Sequence, residues 1–314
     1  MTDPALPAVG PVLRTPDRRF FDLPGCPWPP RYTEVGGLRI ACIDHGPRDG
    51  PPVLLMHGEP TWSYLYRTMI PVLADAGLRA IAPDLVGFGR SDKPARAADH
   101  SYGRQVAWMD AWLRAEDLHG VTLFCQDWGS LIGLRLAAAR PERFDRIVLS
   151  NGGLPTGAQP LPRAFALWRA FARWSPWFPI GRIVAAGCAR GLDARARAAY
   201  DAPFPDARHR IAARVLPGFV PTRPDDPEHA ANERAWAVFR EWDKPFLTLF
   251  STRDPITRGG ELAWQREVPG ARGLPHRRIR GAGHFVQEDA GEELAREIVA
   301  LVRSTPGAGG PSAR

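Results

Sequence analysis

Short, uninterrupted apolar runs constrain this chain more than any other feature: PVLLM at 52–56, VTLFC at 121–125 and PFLTLF at 245–250. A run of about 4–8 apolar residues bounded by turn formers marks a strand buried on both faces, as in a parallel sheet. Parallel neighbours need crossover connections, and segments of helical period lie between the runs at 64–76 (closed by Gly77), 102–118 and 131–139. Further strands are expected at 78–82, 144–150 and 277–279, and a hairpin at 32–35 and 38–43 around Gly36-Gly37. The alternation predicts an α/β fold with a mostly parallel sheet flanked by helices.

Between about Leu154 and Asn232 the alternation stops, and Pro, Ala, Arg and aromatic residues dominate. Helical pieces are expected there at 163–174, 183–189, 194–200 and 207–215. Strand signals then return, and an amphipathic helix at 291–302 closes the pattern. We therefore expect residues 1–153 and 233–303 to form one α/β core, 154–232 an inserted all-helical cap, and 304–314, rich in Gly, Pro and Ser, a disordered tail.

Several classes fall away on composition. Hydrophobic residues make up 44% and charged residues 24% of the chain, which excludes wholesale disorder. No apolar stretch reaches the roughly 18 residues of a transmembrane helix. The segment 1–20 carries Pro and Arg where a signal peptide needs an apolar stretch, and Cys26, Cys42, Cys125 and Cys188 lie scattered without a CxxC pair. Reduced thiols and a cytoplasmic location are expected. The net charge of +7 comes with lysine only at Lys93 and Lys244, arginine elsewhere, and acids interspersed throughout. That is a solvated surface, not a nucleic-acid footprint, and the charge says little else about partners. No nucleic-acid partner, no membrane partner and a monomeric chain are expected.

The chemistry concentrates after the second run. Cys125-Gln126-Asp127-Trp128-Gly129 follows a buried strand and precedes a helix, the setting of a nucleophile elbow. Small residues two places either side of the central one let strand and helix pack closely, and Cys125 and Gly129 meet that need. The side chain presented is a carboxylate, which is ionised at neutral pH and can attack an sp³ carbon without a base. A plain helix N-cap is the structural alternative for Asp127. His57-Gly58-Glu59-Pro60 follows the first run, where the Glu59 N–H, with that of Trp128, would form an oxyanion hole. His57 itself is expected to pack the loop.

A base should come late, and His284 does, in Gly281-Ala282-Gly283-His284-Phe285 between the last strand and the last helix. Asp254, in Ser251-Thr252-Arg253-Asp254-Pro255 after the third run, would accept the imidazole N–H; a turn-initiating role before Pro255 is compatible with that. Glu288 and Asp289 are expected to be N-terminal charges of the last helix. His45, His100, His119, His209, His229 and His276 are expected to be exposed and uncatalytic.

With these residues in hand, the chain resembles the haloalkane dehalogenases of the α/β-hydrolase superfamily. The resemblance rests on HGEPTWSYLYR (57–67), DLVGFGRSDKP (84–94), QDWGS (126–130), AYDAPFPD (199–206) and GAGHFVQED (281–289). It implies an α/β-hydrolase fold and a hydrolytic release of halide through an alkyl ester of Asp127, with His284 as base and Asp254 as the acid of an Asp-His-Asp triad. It further implies two halide-binding tryptophans. Trp128 is the first; Trp168, with Phe165 beside it in the pocket, fits the second best, and Trp174 and Trp177 compete for the place. Substrate, water and halide are the implied partners, and no metal or organic cofactor is required.

The rivals differ at identifiable positions. An epoxide hydrolase needs two cap tyrosines, and the insertion holds Tyr200 alone. A fluoroacetate dehalogenase is expected to carry Arg after the nucleophile, where this chain has Trp128. A serine esterase is excluded at the elbow. A non-catalytic, ligand-sensing member of the fold stays open, opposed by the joint presence of Asp127, Asp254 and His284.

Overall fold

The computed structural model describes residues 6, 8–160 and 162–305. In chain order its strands are β1 (Val12–Leu13), β2 (Arg31–Val35), β3 (Leu38–His45), β4 (Pro52–Met56), β5 (Arg79–Pro83), β6 (Lys93–Pro94), β7 (Val121–Cys125), β8 (Phe144–Leu149), β9 (Phe246–Ser251) and β10 (Arg277–Ile279). Eight of them form one sheet in the order β10-β9-β8-β7-β4-β5-β3-β2. The pairs from β10 through to β5 are parallel, and β5–β3 and β3–β2 are antiparallel. The apolar runs take the centre because both sheet faces there are covered. Leu54, Leu55, Leu123, Phe124, Ile147 and Val148 have no exposed surface, and burying each stabilises by roughly 1.5–3 kcal/mol. The hairpin forms at Gly36 and Gly37, whose φ values of 58° and 77° suit a turn that ordinary residues resist. Strands β1 and β6 pair in a separate ribbon that the sequence did not announce, since two residues have no period.

The helices are α1 (Met69–Asp75), α2 (Tyr102–Ala115), α3 (Trp128–Ala139), α4 (Arg163–Trp174), α5 (Ile180–Gly187), α6 (Ala194–Asp201), α7 (Ile211–Val215), α8 (His229–Arg240), α9 (Glu261–Glu267) and α10 (Val286–Ser304). Several depart from expectation. The first expected helix divides into a 3-10 turn at Ser63–Tyr66 and α1, and the stretch 207–215 divides into a 3-10 turn at Arg208–Arg210 and α7. Helix α5 starts at Ile180, directly after Pro179, which lacks an N–H that a helix interior would use. Helices α8 and α9 were not foreseen. α8 runs through position 232 and is tied back to the chain leaving β8: Trp236 Nε1 donates to Leu154 O (2.8 Å) and Asn232 Nδ2 to Pro155 O (2.7 Å). α10 begins before Gly291, at Val286, with a break at Ala290 (φ −148°), and extends to Ser304. The rest of the expected tail, past Thr305, lies outside the described residues. The four cysteines are free and buried, and among the described residues no helix is long and apolar enough to cross a membrane.

Candidate active site

The elbow forms where strand β7 ends and helix α3 begins, with almost no space between α3 and the end of the neighbouring strand β4. A Cβ at Gly129 would overlap the Met56 carbonyl oxygen, and one at Gly58 would overlap the Asp127 carboxylate. Asp127 sits at φ 50°, ψ −129°, a conformation that non-glycine residues rarely adopt and that turns its side chain off the path of the chain. Its main-chain N–H is held by Asn151 O (3.1 Å) and its carbonyl by the Ser130 hydroxyl (2.6 Å). Although Asp127 occupies the N-cap position of α3, its carboxylate makes no cap hydrogen bond. It accepts instead the Glu59 N–H at Oδ1, 2.7 Å away. The Trp128 main-chain N–H, the other expected donor, makes no hydrogen bond to that carboxylate.

His284 lies between two carboxylates. Its Nδ1 is 3.0 Å from Asp254 Oδ2, and its Nε2 is 3.5 Å from Asp127 Oδ2. Burial disfavours its protonation, but Asp254 and Asp127 together outweigh burial and hold the imidazole up at about 10. Asp254 is itself buried, which opposes ionisation. The charge and hydrogen bond of His284, the Thr257 hydroxyl and the Ile256 N–H prevail and hold it down at about 2. Its turn role and its pairing with His284 thus coexist: Oδ1 accepts the Ile256 N–H (2.9 Å) while Oδ2 faces the imidazole.

Above these groups opens a cavity of about 1110 Å³, whose lining is mostly apolar and includes Glu59, Asp127, Trp128, Phe165, Trp168 and His284. Trp128 is buried edge-on against Tyr102, with centroids 5.2 Å apart. Trp168, on α4, is stacked with Phe171 and Phe178. Of its competitors, Trp177 reaches the lining but is 58% exposed, and Trp174 is 73% exposed and does not line the cavity. Tyr200 points elsewhere, donating its hydroxyl to Glu288.

Some side chains at the site escaped the sequence. Asn151, at the end of β8 with φ 28°, reaches from its Nδ2 to Ser251 Oγ (2.8 Å), Gly283 O (2.9 Å) and His284 O (2.9 Å). Its place at the carboxyl end of a central strand was the available signal. Gln126, inside the elbow, brings its Nε2 to 3.2 Å from His284 Nε2. Glu288 and Asp289 are more than helix charges. Glu288 binds Arg67 and Tyr200, and Asp289 accepts the N–H groups of Ala189 (2.8 Å), Arg190 (2.9 Å) and Gly283 (2.8 Å). His57 is buried, with Nε2 accepting the Leu85 N–H (2.9 Å) and Nδ1 2.9 Å from Gly58 O, a clamp on its loop. His100 is also buried, against Pro94 O and Trp108, contrary to expectation, because the ring closes the space beside α2. His209, His229 and His276 are half-buried on local acceptors or donors rather than exposed. Among the described residues no group of three or more His, Cys, Asp or Glu side chains is arranged to hold a metal ion.

The chain is similar to known proteins over most of its length. The family model described as alpha/beta hydrolase fold matches residues 51–198. A haloalkane dehalogenase of Mycolicibacterium paratuberculosis is 53% identical over 293 residues, covering 92% of this chain and 97% of that protein. One from Psychrobacter cryohalolentis is 48% identical over 300 residues, covering 94% and 99%. Among solved structures, the tetrameric haloalkane dehalogenase DpaA from Paraglaciecola agarilytica superimposes with a TM-score of 0.86 at 35% identity, covering 92% of this chain and 98% of its own. With an aspartate at the elbow, a histidine and second aspartate behind it, and this degree of likeness over nearly its whole length, the chain belongs to the haloalkane dehalogenases.

Proposed function

We propose that this enzyme hydrolyses haloalkanes to an alcohol, a halide ion and a proton, with Asp127 as nucleophile, His284 as base and Asp254 as its partner. One observation carries the assignment of roles: a single imidazole bridges Asp127 and Asp254 at the floor of a mostly apolar cavity. A substrate entering that cavity loses water, and so does the carboxylate that attacks it. An Asp127 oxygen displaces halide in line: the C–O bond forms, the C–X bond breaks, and the electron pair leaves with the halide. The Trp128 and Trp168 indoles, which are donors only, hold that anion without adding a positive charge.

Ester formation removes the Asp127 charge, one of the two that hold the proton on His284. The imidazolium then releases its proton, and neutral Nε2 takes another from water as the oxygen adds to the ester carbonyl. The Glu59 N–H, already at Oδ1, meets the oxyanion that develops there, and a well-placed donor of this kind contributes about 3–4 kcal/mol. Collapse of the intermediate frees the alcohol and restores the carboxylate. Epoxide opening is not favoured, because the Tyr200 hydroxyl is committed to Glu288. Halide release across chloro-, bromo-, iodo- and fluoroalkanes of varied length tests the proposal. Iodide and bromide should leave faster than chloride, with fluoroalkanes inert; no release from any bromo- or iodoalkane would refute it.

A further inference from the structure

Glu59 gives its main-chain N–H to Asp127, and its side chain takes no part in that contact. That side chain is 3% exposed and lines the cavity shared by Asp127, Trp128 and Trp168, and its Oε1 is buried without a hydrogen-bond partner. The groups facing it are Asp127 on the elbow, the Trp168 indole on α4 and His284 on its loop, with Asp254 behind His284. Arg182, Arg253 and Arg258 line the same cavity, but among the described residues none forms an ion pair with Glu59. A carboxylate buried beside a second carboxylate, with one oxygen orphaned, is disfavoured against its neutral acid.

We infer that Glu59 acts as a neutral carboxylic acid whose O–H is a third donor to the departing halide, and that ionisation of this group closes the halide site. The inference rests on the cavity being the halide site proposed above. With the proton on Oε1, the orphaned atom gains a use, and the neutral acid is a weaker acceptor for the Trp168 indole, which leaves that single N–H free to turn to the halide. Once ionised, the same side chain would repel a halide and keep the Trp168 N–H for itself, so both effects weaken anion binding together. The electrostatics agree: burial pushes the Glu59 carboxyl well above the usual carboxylate range, Asp127 pushes it further, and Trp168 and His284 oppose the rise without cancelling it.

Bromide binding to the full chain, read by quenching of tryptophan fluorescence from about pH 6 to 10.5, tests this. For the wild type, affinity should hold steady and then fall by up to about 10-fold per pH unit once Glu59 ionises. Glu59→Gln keeps a neutral N–H donor and cannot ionise, so its affinity should stay within a few-fold of wild type at pH 7 and lose the alkaline fall. Glu59→Leu should bind bromide on the order of 10-fold more weakly at pH 7. His284, held up at about 10, titrates in the same window. An undiminished alkaline fall in Glu59→Gln would therefore assign the effect to His284 and overturn the inference. Wild-type affinity that is flat to pH 10.5 would overturn it as well. Both variants keep the main-chain N–H, and Glu59→Gln is close to isosteric, so the pH comparison stands even if Glu59→Leu does not fold. A wild type that neither binds bromide at pH 7 nor releases it from 1-bromobutane would instead overturn the reading beneath.

Discussion

His284 Nε2 stands 3.5 Å from Asp127 Oδ2, near enough for an ion pair and beyond an ordinary hydrogen bond. A carboxylate nucleophile has no proton for the imidazole to strip, so loss of His284 should leave the first chemical step intact. His284→Phe should release about one halide per active site and stop, since loss of a general base typically costs ~10²–10⁴-fold. Mass spectrometry of a digest should find the alkyl group on the peptide containing Asp127, and Asp127→Ala should give neither halide nor adduct. Repeated turnover by His284→Phe, or an adduct elsewhere, would remove both assignments.

The two indoles should behave alike. Trp128→Phe and Trp168→Phe each delete one N–H while keeping a ring, so each should weaken halide binding and slow halide release, by roughly 10-fold if the lost bond is one to a charged acceptor. Fluorescence quenching and steady-state halide release would report this. Trp174→Phe should be neutral, because that side chain is largely in solvent and off the cavity. A silent Trp168→Phe beside a disabled Trp177→Phe would move the second halide ligand to Trp177.

Stability should depend on pH at both ends of the triad. His284 is raised from an ordinary 6.5 to about 10, so its contribution is complete below 6.5 and is lost as pH rises through 10. Asp254 is lowered from 3.8 to about 2, so its contribution is present above 3.8 and is lost as pH falls through 2. Melting temperature measured against pH should fall in both windows. The alkaline fall should flatten in His284→Phe and the acid fall in Asp254→Asn; unchanged profiles would contradict the pairing.

Asn151 should matter to both stability and rate. Replacing it with Ala strands the Gly283 carbonyl and a buried Ser251 N–H, at a cost of about 1–3 kcal/mol for each group left unpaired, and leaves the His284 carbonyl with the longer Gln126 bond (3.3 Å). Thermal unfolding should register the loss. Hydrolysis of the ester should slow more than halide release, because the carbonyls it holds belong to the loop of the base. Equal slowing of both steps would mean that Asn151 supports the fold alone.

The central strands could be read from the sequence because both of their faces are buried: β4 and β7 fall at the expected residues, β5 and β9 are displaced by one, and β8 ends one residue early, while the edge strand β10 falls as expected although Arg277 and Arg278 are exposed. Asp127, Asp254 and His284 were legible for a related reason, since each follows a strand the eye can find and strand ends converge on one edge of the sheet. What stayed hidden depends on distance along the chain. Asn151 meets His284 across 133 residues, and Gln126 meets it across 158. Neither asparagine nor glutamine carries a pattern that names such a partner. Helix α8 was missed because its polar and alanine residues leave only a narrow apolar stripe, with Ala235, Trp236 and Phe239 inward.

Gly187, the last residue of α5, accepts the His284 N–H through its carbonyl at 2.7 Å, while Asp289 joins Gly283 to Ala189 and Arg190. The roof over the reaction is thus fastened to the very turn that aims the imidazole. Lifting α5 as a rigid lid would break these bonds and disturb the placement of the base. Gatekeeping and proton transfer share one set of bonds. A chimera that exchanged this part of the insertion for another would alter how fast the ester is cleared as well as which molecules are admitted.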